Sequence, residues 1–269
     1  MPVRPIALLF AFACLTPFAI ADDAFTRNPD RDAVGRLLTY ERSNQDGTRP
    51  ERIDVYRASE TRLEVMKSVA PCTNAALVSA ELDFETWSAD TITGGALLPG
   101  AEVMEFAFLT HDRAANRLDV EVRLPDQTLT FEMETGGGTL HVYDFDLASL
   151  TALTPYLADP EAGFLTRFAL MWPDPEDPGI SMMGEAVFAF DERGVEGGRE
   201  VLTYTTSGNA LGDGYLWLDA EDGYIVEAAF EAPNHPGYDD FRLRLIGASD
   251  IGAEGWRGHL AAHFEGCGG

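Results

Sequence analysis

Lysine is almost missing from this chain of 269 residues: Lys67 is the only one, and arginine supplies the other basic side chains. Cysteine is nearly as scarce, with Cys14, Cys72 and Cys267 alone. No Cys-x-x-Cys pair occurs, which removes a thioredoxin-like role. Neither does a Gly-x-Ser-x-Gly elbow, so the commonest pattern of exported hydrolases is absent. There is no His-Glu-x-x-His, and Gly208, Gly212 and Gly214 lack the spacing of a phosphate-cradling loop. Positive charge is also short, 19 basic against 45 acidic residues. An acidic surface repels phosphate backbones, so no nucleic-acid partner is expected, and anionic membrane surfaces are disfavoured for the same reason. Lys67 itself carries no functional signal, arginine preference being read as codon usage.

Long apolar runs are absent except at the start. Arg4 gives a positive n-region, Ile6 to Leu15 is apolar, and Ala19-Ile20-Ala21 is an A-x-A cleavage site followed by Asp22 and Asp23. This is the grammar of a secretory signal, and the run falls short of the roughly 20 residues of a spanning helix. Cleavage after Ala21 into the periplasm is expected, leaving a soluble protein. Lipidation at Cys14 is disfavoured because Phe12 stands where a small residue is usual. Removing Arg4 takes the charge to 18 − 45 = −27. Cys72 and Cys267 then form an even pair, which in an oxidising compartment suggests one disulfide. The competing reading is a free thiol on a Gly-Cys-Gly-Gly tail.

What is plentiful is alternation. Leu118, Val120, Val122 and Leu124 share one face of 117–124, and Leu129, Phe131 and Met133 repeat the pattern after Pro125-Asp126. Gly136-Gly137-Gly138 then leads into Thr139–Tyr143, so three strands in an antiparallel meander are expected. Hairpins are expected across Asp46-Gly47 and Asp222-Gly223, and Phe241, Leu243 and Leu245 alternate with Arg242 and Arg244. Trp256, Leu260 and Phe264 read as one face of a last strand. At least eleven strands are expected, in a single antiparallel β domain over 34–265, after an extended segment 22–33 and before a flexible tail 266–269. One segment breaks the period: Asp146 would cap a helix bearing Leu147, Leu150 and Leu153, ended by Pro155. Residues 173–179 form an acidic, proline-rich loop.

Candidate chemistry is thin. His259 and His263 could share a zinc ion on a helix, but on a strand they stand about 13 Å apart; the strand reading leaves no metal site. Asp219–Gly223 lacks the spacing of a calcium loop. His111-Asp112 and the scattered carboxylates allow acid–base work in principle, with a solvated surface as the plainer account. No catalytic residue and no cofactor is assigned. Aromatic residues Phe106, Phe108, Phe131 and Trp217 fall on candidate strands, where they would be core or the lining of an apolar concavity.

From Gly214 the chain runs Gly-Tyr-Leu-Trp-Leu-Asp-Ala-Glu-Asp-Gly-Tyr-Ile-Val-Glu-Ala, then Phe241-Arg-Leu-Arg-Leu. This resembles a hairpin of periplasmic LolA/LppX-like half-barrel proteins. The resemblance implies a mainly β fold in which a large curved antiparallel sheet holds one or two helices on its concave face. It also implies an apolar ligand, a lipid or acyl chain, held by Phe106, Phe108, Phe131 and Trp217 with Leu147, Leu150 and Leu153 as plug or lid. On that expectation the protein is a monomeric, non-enzymatic carrier with a possible envelope protein partner. Two rivals stand beside it: a structural or interaction protein of the envelope with a packed core, and an exported hydrolase using carboxylates. An outer-membrane barrel is disfavoured because Asp119, Glu121, Arg242 and Arg244 occupy the faces that an apolar band would need.

Overall fold

The computed structural model describes residues 24–172 and 179–267. The expected signal segment, most of the acidic loop at 173–179 and the last two glycines lie outside the described residues. Alternation does what the sequence promised, and fifteen strands form one sheet in the order β8-β7-β6-β5-β4-β3-β2-β1-β15-β14-β13-β12-β11-β10-β9. The first eight are β1 (Arg36–Ser43), β2 (Glu51–Arg57), β3 (Arg62–Ser68), β4 (Ala75–Asp83), β5 (Ser88–Leu98), β6 (Glu102–Asp112), β7 (Arg117–Arg123) and β8 (Thr128–Glu134). The other seven are β9 (Leu140–Val142), β10 (Phe164–Trp172), β11 (Gly179–Glu196), β12 (Arg199–Gly208), β13 (Gly214–Asp219), β14 (Ile225–Phe230) and β15 (Phe241–Asp250).

Neighbours are antiparallel hairpins except at two joints. Strand β15 returns to pair with β1, closing the two halves into one sheet, with Tyr40 opposite Leu245. Strand β9 pairs with β10 in parallel, Phe168 opposite His141. The expected three-strand meander is therefore corrected. β7 and β8 do pair, Val120 opposite Phe131, but after the three glycines the chain leaves β8 for the opposite end of the sheet. Gly136, Gly137 and Gly138 all have positive φ, a run that only glycine adopts without strain.

The expected half-barrel is not what forms. The sheet is open, with β8 and β9 as the ends of its strand order, and it is not curved into a concavity. The physical reason lies in the segment after β9. Helix α1 (Ala148–Leu153) and the turns around it are packed directly on the sheet, with Tyr143, Leu150 and Leu153 fully buried in the main core. That core runs from Leu38, Tyr40 and Val65 through Leu118 to Phe188, Phe230 and Phe241. Each such side chain contributes about 1.5–3 kcal/mol by leaving water, and together they occupy the space that a ligand was expected to fill.

The end of the chain is the second correction. Residues 252–262 form helix α2 (Gly252–Ala262), not a strand. Trp256, Leu260 and Phe264 are spaced by four, which fits a strand face and a helix face equally. Gly252 at φ 63° turns the chain out of β15, and Trp256 and Leu260 then bury on the opposite face of the sheet with Leu37, Tyr56, Met66 and Leu77. Trp256 stacks on Tyr56 at 5.0 Å between ring centroids, and its indole N–H donates to Glu64 at 2.6 Å. Cys72 and Cys267 are joined by a disulfide, which ties the β3–β4 turn to the end of α2. Neither helix is long and apolar enough to cross a membrane, among the described residues.

Candidate functional site

Strand alternation sets up the site. On β1, Arg36, Leu38, Tyr40 and Arg42 point to the core face; on β2, Glu51, Ile53, Val55 and Arg57 do so; on β3, Leu63, Val65 and Lys67. Register aligns them, with Leu38 opposite Val55 and Arg42 opposite Glu51, and Val55 opposite Val65. The middle of this face is apolar and both ends are charged. Over the middle lies α1, held by a closed set of hydrogen bonds. Tyr40 donates its hydroxyl to the Ile225 carbonyl at 2.9 Å, its oxygen lies 3.0 Å from Thr151 Oγ1, and the Ile225 N–H donates to Thr151 Oγ1 at 2.9 Å.

At one end, Asp146 enters the charged rim from the β9–α1 connection. Its carboxylate is wholly buried and lies 2.5 Å from Lys67 Nζ and 3.1 Å from Arg42 Nη1. Asn234 Nδ2 donates to the same carboxylate at 2.7 Å. Arg42, itself 2 % exposed, also pairs with Glu51, donates to Tyr238 at 3.1 Å and to His235 Nδ1 at 2.6 Å. Lys67 donates in addition to the Asp144 carbonyl at 2.5 Å. Three other stretches of chain, carrying Arg42, Lys67 and Asn234, thus converge on the Asp146 carboxylate.

The backbone at that point is strained to make it possible. Asp146 and Leu147 are consecutive non-glycine residues with φ of 52° and 58°. The left-handed region costs an ordinary residue about 1–3 kcal/mol, and aspartate tolerates it better than leucine. Asp146 was expected to cap α1; it does not, since no side-chain cap bond is made at that terminus. Its carboxylate is turned instead toward the two cations.

Electrostatics follow from burial and pairing. Burial alone pushes the Asp146 carboxyl up, but Lys67 and Arg42 beside it hold it well below the usual carboxylate range. Burial pushes the Asp144 carboxyl up to about 6 despite the nearby Lys67. The His235 imidazole is pushed down to about 3 by burial first, with Lys67 and Arg42 adding to the effect against Asp146. It must be neutral to accept from a guanidinium, which has no acceptor of its own. His141 is likewise pushed down to about 3 by burial, with Nδ1 2.9 Å from Ser149 Oγ.

Chemically, this arrangement is a lock. A carboxylate saturated by an ammonium, a guanidinium and an amide is a poor general base, and a lysine held by a carboxylate and a carbonyl is a poor nucleophile. A cavity of about 80 Å³ reaches Lys67 and Asp144, walled by Val78, Ile92, Phe108 and Met171. It has room for a few waters and none for an acyl chain.

Of the seven residues expected to hold a lipid, Leu147, Leu150 and Leu153 lie in the main core and Phe131 and Trp217 pack against it. Phe106 is exposed, at 37 %. Phe108 is half-buried beneath the Arg123 guanidinium, 4.2 Å from its ring centre. Phe131 is half-buried near the β8 edge, and Trp217, between the buried Leu216 and Leu218, stacks on Tyr215 at 4.9 Å. Leu147, Leu150 and Leu153 are core residues exposed by 1 % or less, neither plug nor lid. The open sheet, not being curved, forms no apolar-ligand concavity among the described residues.

The two histidines of α2 are on a helix after all, yet they part company: His259 Nε2 lies 3.0 Å from Asp54 Oδ2 and His263 Nε2 lies 2.9 Å from the Thr73 carbonyl. Among the described residues no group of three or more His, Cys, Asp or Glu side chains is placed to hold a metal ion. Arg42, Lys67, Asp146 and His235 escaped sequence reasoning because they are far apart in the chain. One signal was available: Lys67, the sole lysine, falls on the apolar face of its strand, where a charge demands a partner.

No protein-family model matches the chain, and comparison with curated proteins finds no match. A LolA/LppX-like family membership therefore has no support beyond the hairpin motif, and the open sheet contradicts it.

Proposed function

We propose that this protein is exported with cleavage after Ala21 and serves in the cell envelope as a structural or interaction domain with a packed core. The observation that carries this reading is the burial of Leu147, Leu150 and Leu153 inside one continuous core. The stretch expected to guard a ligand is part of the scaffold. Pairing of the Asp146 carboxylate and of Lys67 argues in the same direction, since reactive groups need a free valence. The Cys72–Cys267 disulfide suits an oxidising compartment.

An interaction surface is suggested by Met104 and Phe106, exposed apolar side chains of β6. Two measurements test the reading together. Native mass spectrometry of the protein purified without detergent should give the bare polypeptide mass. A photo-crosslinking residue at position 104 should trap a discrete partner in cells, while one at the still more open Val195 should not. A lipid adduct that survives purification, or identical silence from both positions, would defeat it.

A further inference from the structure

At the other end of the inner face of β1–β3 the sheet opens onto a cavity of about 150 Å³, bounded by residues 30–33 and the far end of α1. Leu38, Val55, Leu63, Ala152 and Pro155 give it apolar walls. Its charged groups are mostly satisfied. Arg36 pairs with Asp222 at 2.8 Å and Asp250 at 3.2 Å. Asp32 is paired with Arg27 at 2.5 Å and accepts the Tyr156 hydroxyl as well. Arg31 is exposed and donates to the Glu221 carbonyl.

Arg57 is the exception. It is 7 % exposed, it donates through Nη2 to the Glu60 carbonyl, and its Nε has no acceptor. Among the described residues it makes no ion pair. Burial pushes its pKa down, against the pull of Tyr156 and Asp32. A guanidinium cannot shed its proton at neutral pH, so the charge stays in place, and the Phe84 ring 5.9 Å away and the Glu60 carbonyl offset only part of its desolvation. An acceptor arriving in the cavity would find one buried cation and an apolar enclosure.

We propose that this cavity binds a small organic monoanion, a carboxylate on Arg57 with a compact apolar body against Leu38, Val55, Leu63 and Ala152. Size supports the body: an engineered apolar cavity of the same volume in another protein takes benzene. Charge sets the valence. Asp30, Asp32 and Asp222 stand in the walls, so a dianion such as phosphate meets three carboxylates for one free guanidinium. The overall acidity of the protein is screened beyond about 10 Å in ordinary salt, whereas Arg57 acts at contact.

Calorimetric titration of the purified, disulfide-bonded protein tests this with benzoate, its neutral analogue benzyl alcohol, and inorganic phosphate. Benzoate should bind saturably at one site, benzyl alcohol roughly tenfold or more weakly, and phosphate not at all, since a bond to a charged partner is worth about a factor of 10–100. Arg57→Met should reduce benzoate to the level of benzyl alcohol and leave benzyl alcohol unchanged. Should Arg57→Met fail to fold, Ala152→Leu, which fills the cavity while keeping the cation, should abolish binding of both. No benzoate binding up to millimolar concentration, equal affinity for the neutral analogue, or phosphate binding as tight as benzoate each overturns the proposal and leaves Arg57 served by water. None of these outcomes bears on the packed-core function, which has its own test.

Discussion

Lys67 Nζ and Asp146 Oδ2 stand 2.5 Å apart with the carboxylate wholly buried, so the only lysine of the chain ties β3 to the turn into α1 by an ion pair. Removing one partner of a buried pair leaves the other charged and unsolvated, at a cost of about 3–5 kcal/mol. Lys67→Met should lose stability of that order in chemical denaturation. Asp146→Asn, which keeps the left-handed backbone, should lose less than Asp146→Leu. The double variant Lys67→Met/Asp146→Asn should lose less than the sum of the singles; strict additivity would show that the pair is not coupled.

Acid should weaken the protein well before its carboxylates are lost. His141 and His235 have folded pKa values of about 3, far below the ordinary histidine value of about 6.5. The unfolded chain therefore binds protons first as pH falls from 6.5 toward 3, and stability drops over that window. Asp144, raised to about 6, acts oppositely: it favours the folded state at acid pH, and that contribution fades as pH rises from about 4 to 6. Two histidines outweigh one aspartate. Denaturation midpoints at pH 7.5 and pH 5 should differ in favour of pH 7.5, and a His141→Gln/His235→Gln variant should lose most of that difference.

Core packing of α1 makes a prediction that separates scaffold from lid. Leu150 has no exposed surface, and Leu150→Ala should cost about 2–5 kcal/mol. A lid residue over an empty concavity would cost far less. Tyr40→Phe, which strips the hydroxyl between Thr151 and the Ile225 carbonyl, should cost about 0.5–1.5 kcal/mol, the net worth of a hydrogen bond.

The disulfide closes a separation of 195 residues, worth up to about 5 kcal/mol by restriction of the unfolded chain. Cys72→Ser should lower the thermal midpoint and loosen α2, seen as a loss of near-ultraviolet signal from the Trp256–Tyr56 stack. A fall in midpoint without that spectral change would place the effect in the unfolded state alone.

Much of the sheet was legible because alternation is local. The β1–β2, β7–β8 and β13–β14 hairpins each follow from apolar residues two apart and a turn between them, and no distant contact is needed to form them. Helix α2 was missed since a spacing of four satisfies both periods at Trp256, Leu260 and Phe264; the glycines and alanines among them left only tertiary burial against Tyr56 and Leu77 to decide. The site was almost invisible. Arg42, Lys67, Asp146 and Asn234 become neighbours only when β1, β3, the α1 turn and the loop after β14 are assembled, and no spacing in one strand encodes that meeting.

Sequence by itself determined that this would be a β protein with alternating faces, an acidic surface and a short leucine-striped helix, because side-chain direction and turn chemistry are set within a few residues. Tertiary structure alone decided whether that sheet would enclose a cavity or a core. The answer depended on where α1 lands, and α1 is placed by Tyr40, Thr151 and the Lys67–Asp146 pair, long-range contacts whose energies exist only once the chain has brought them out of water together.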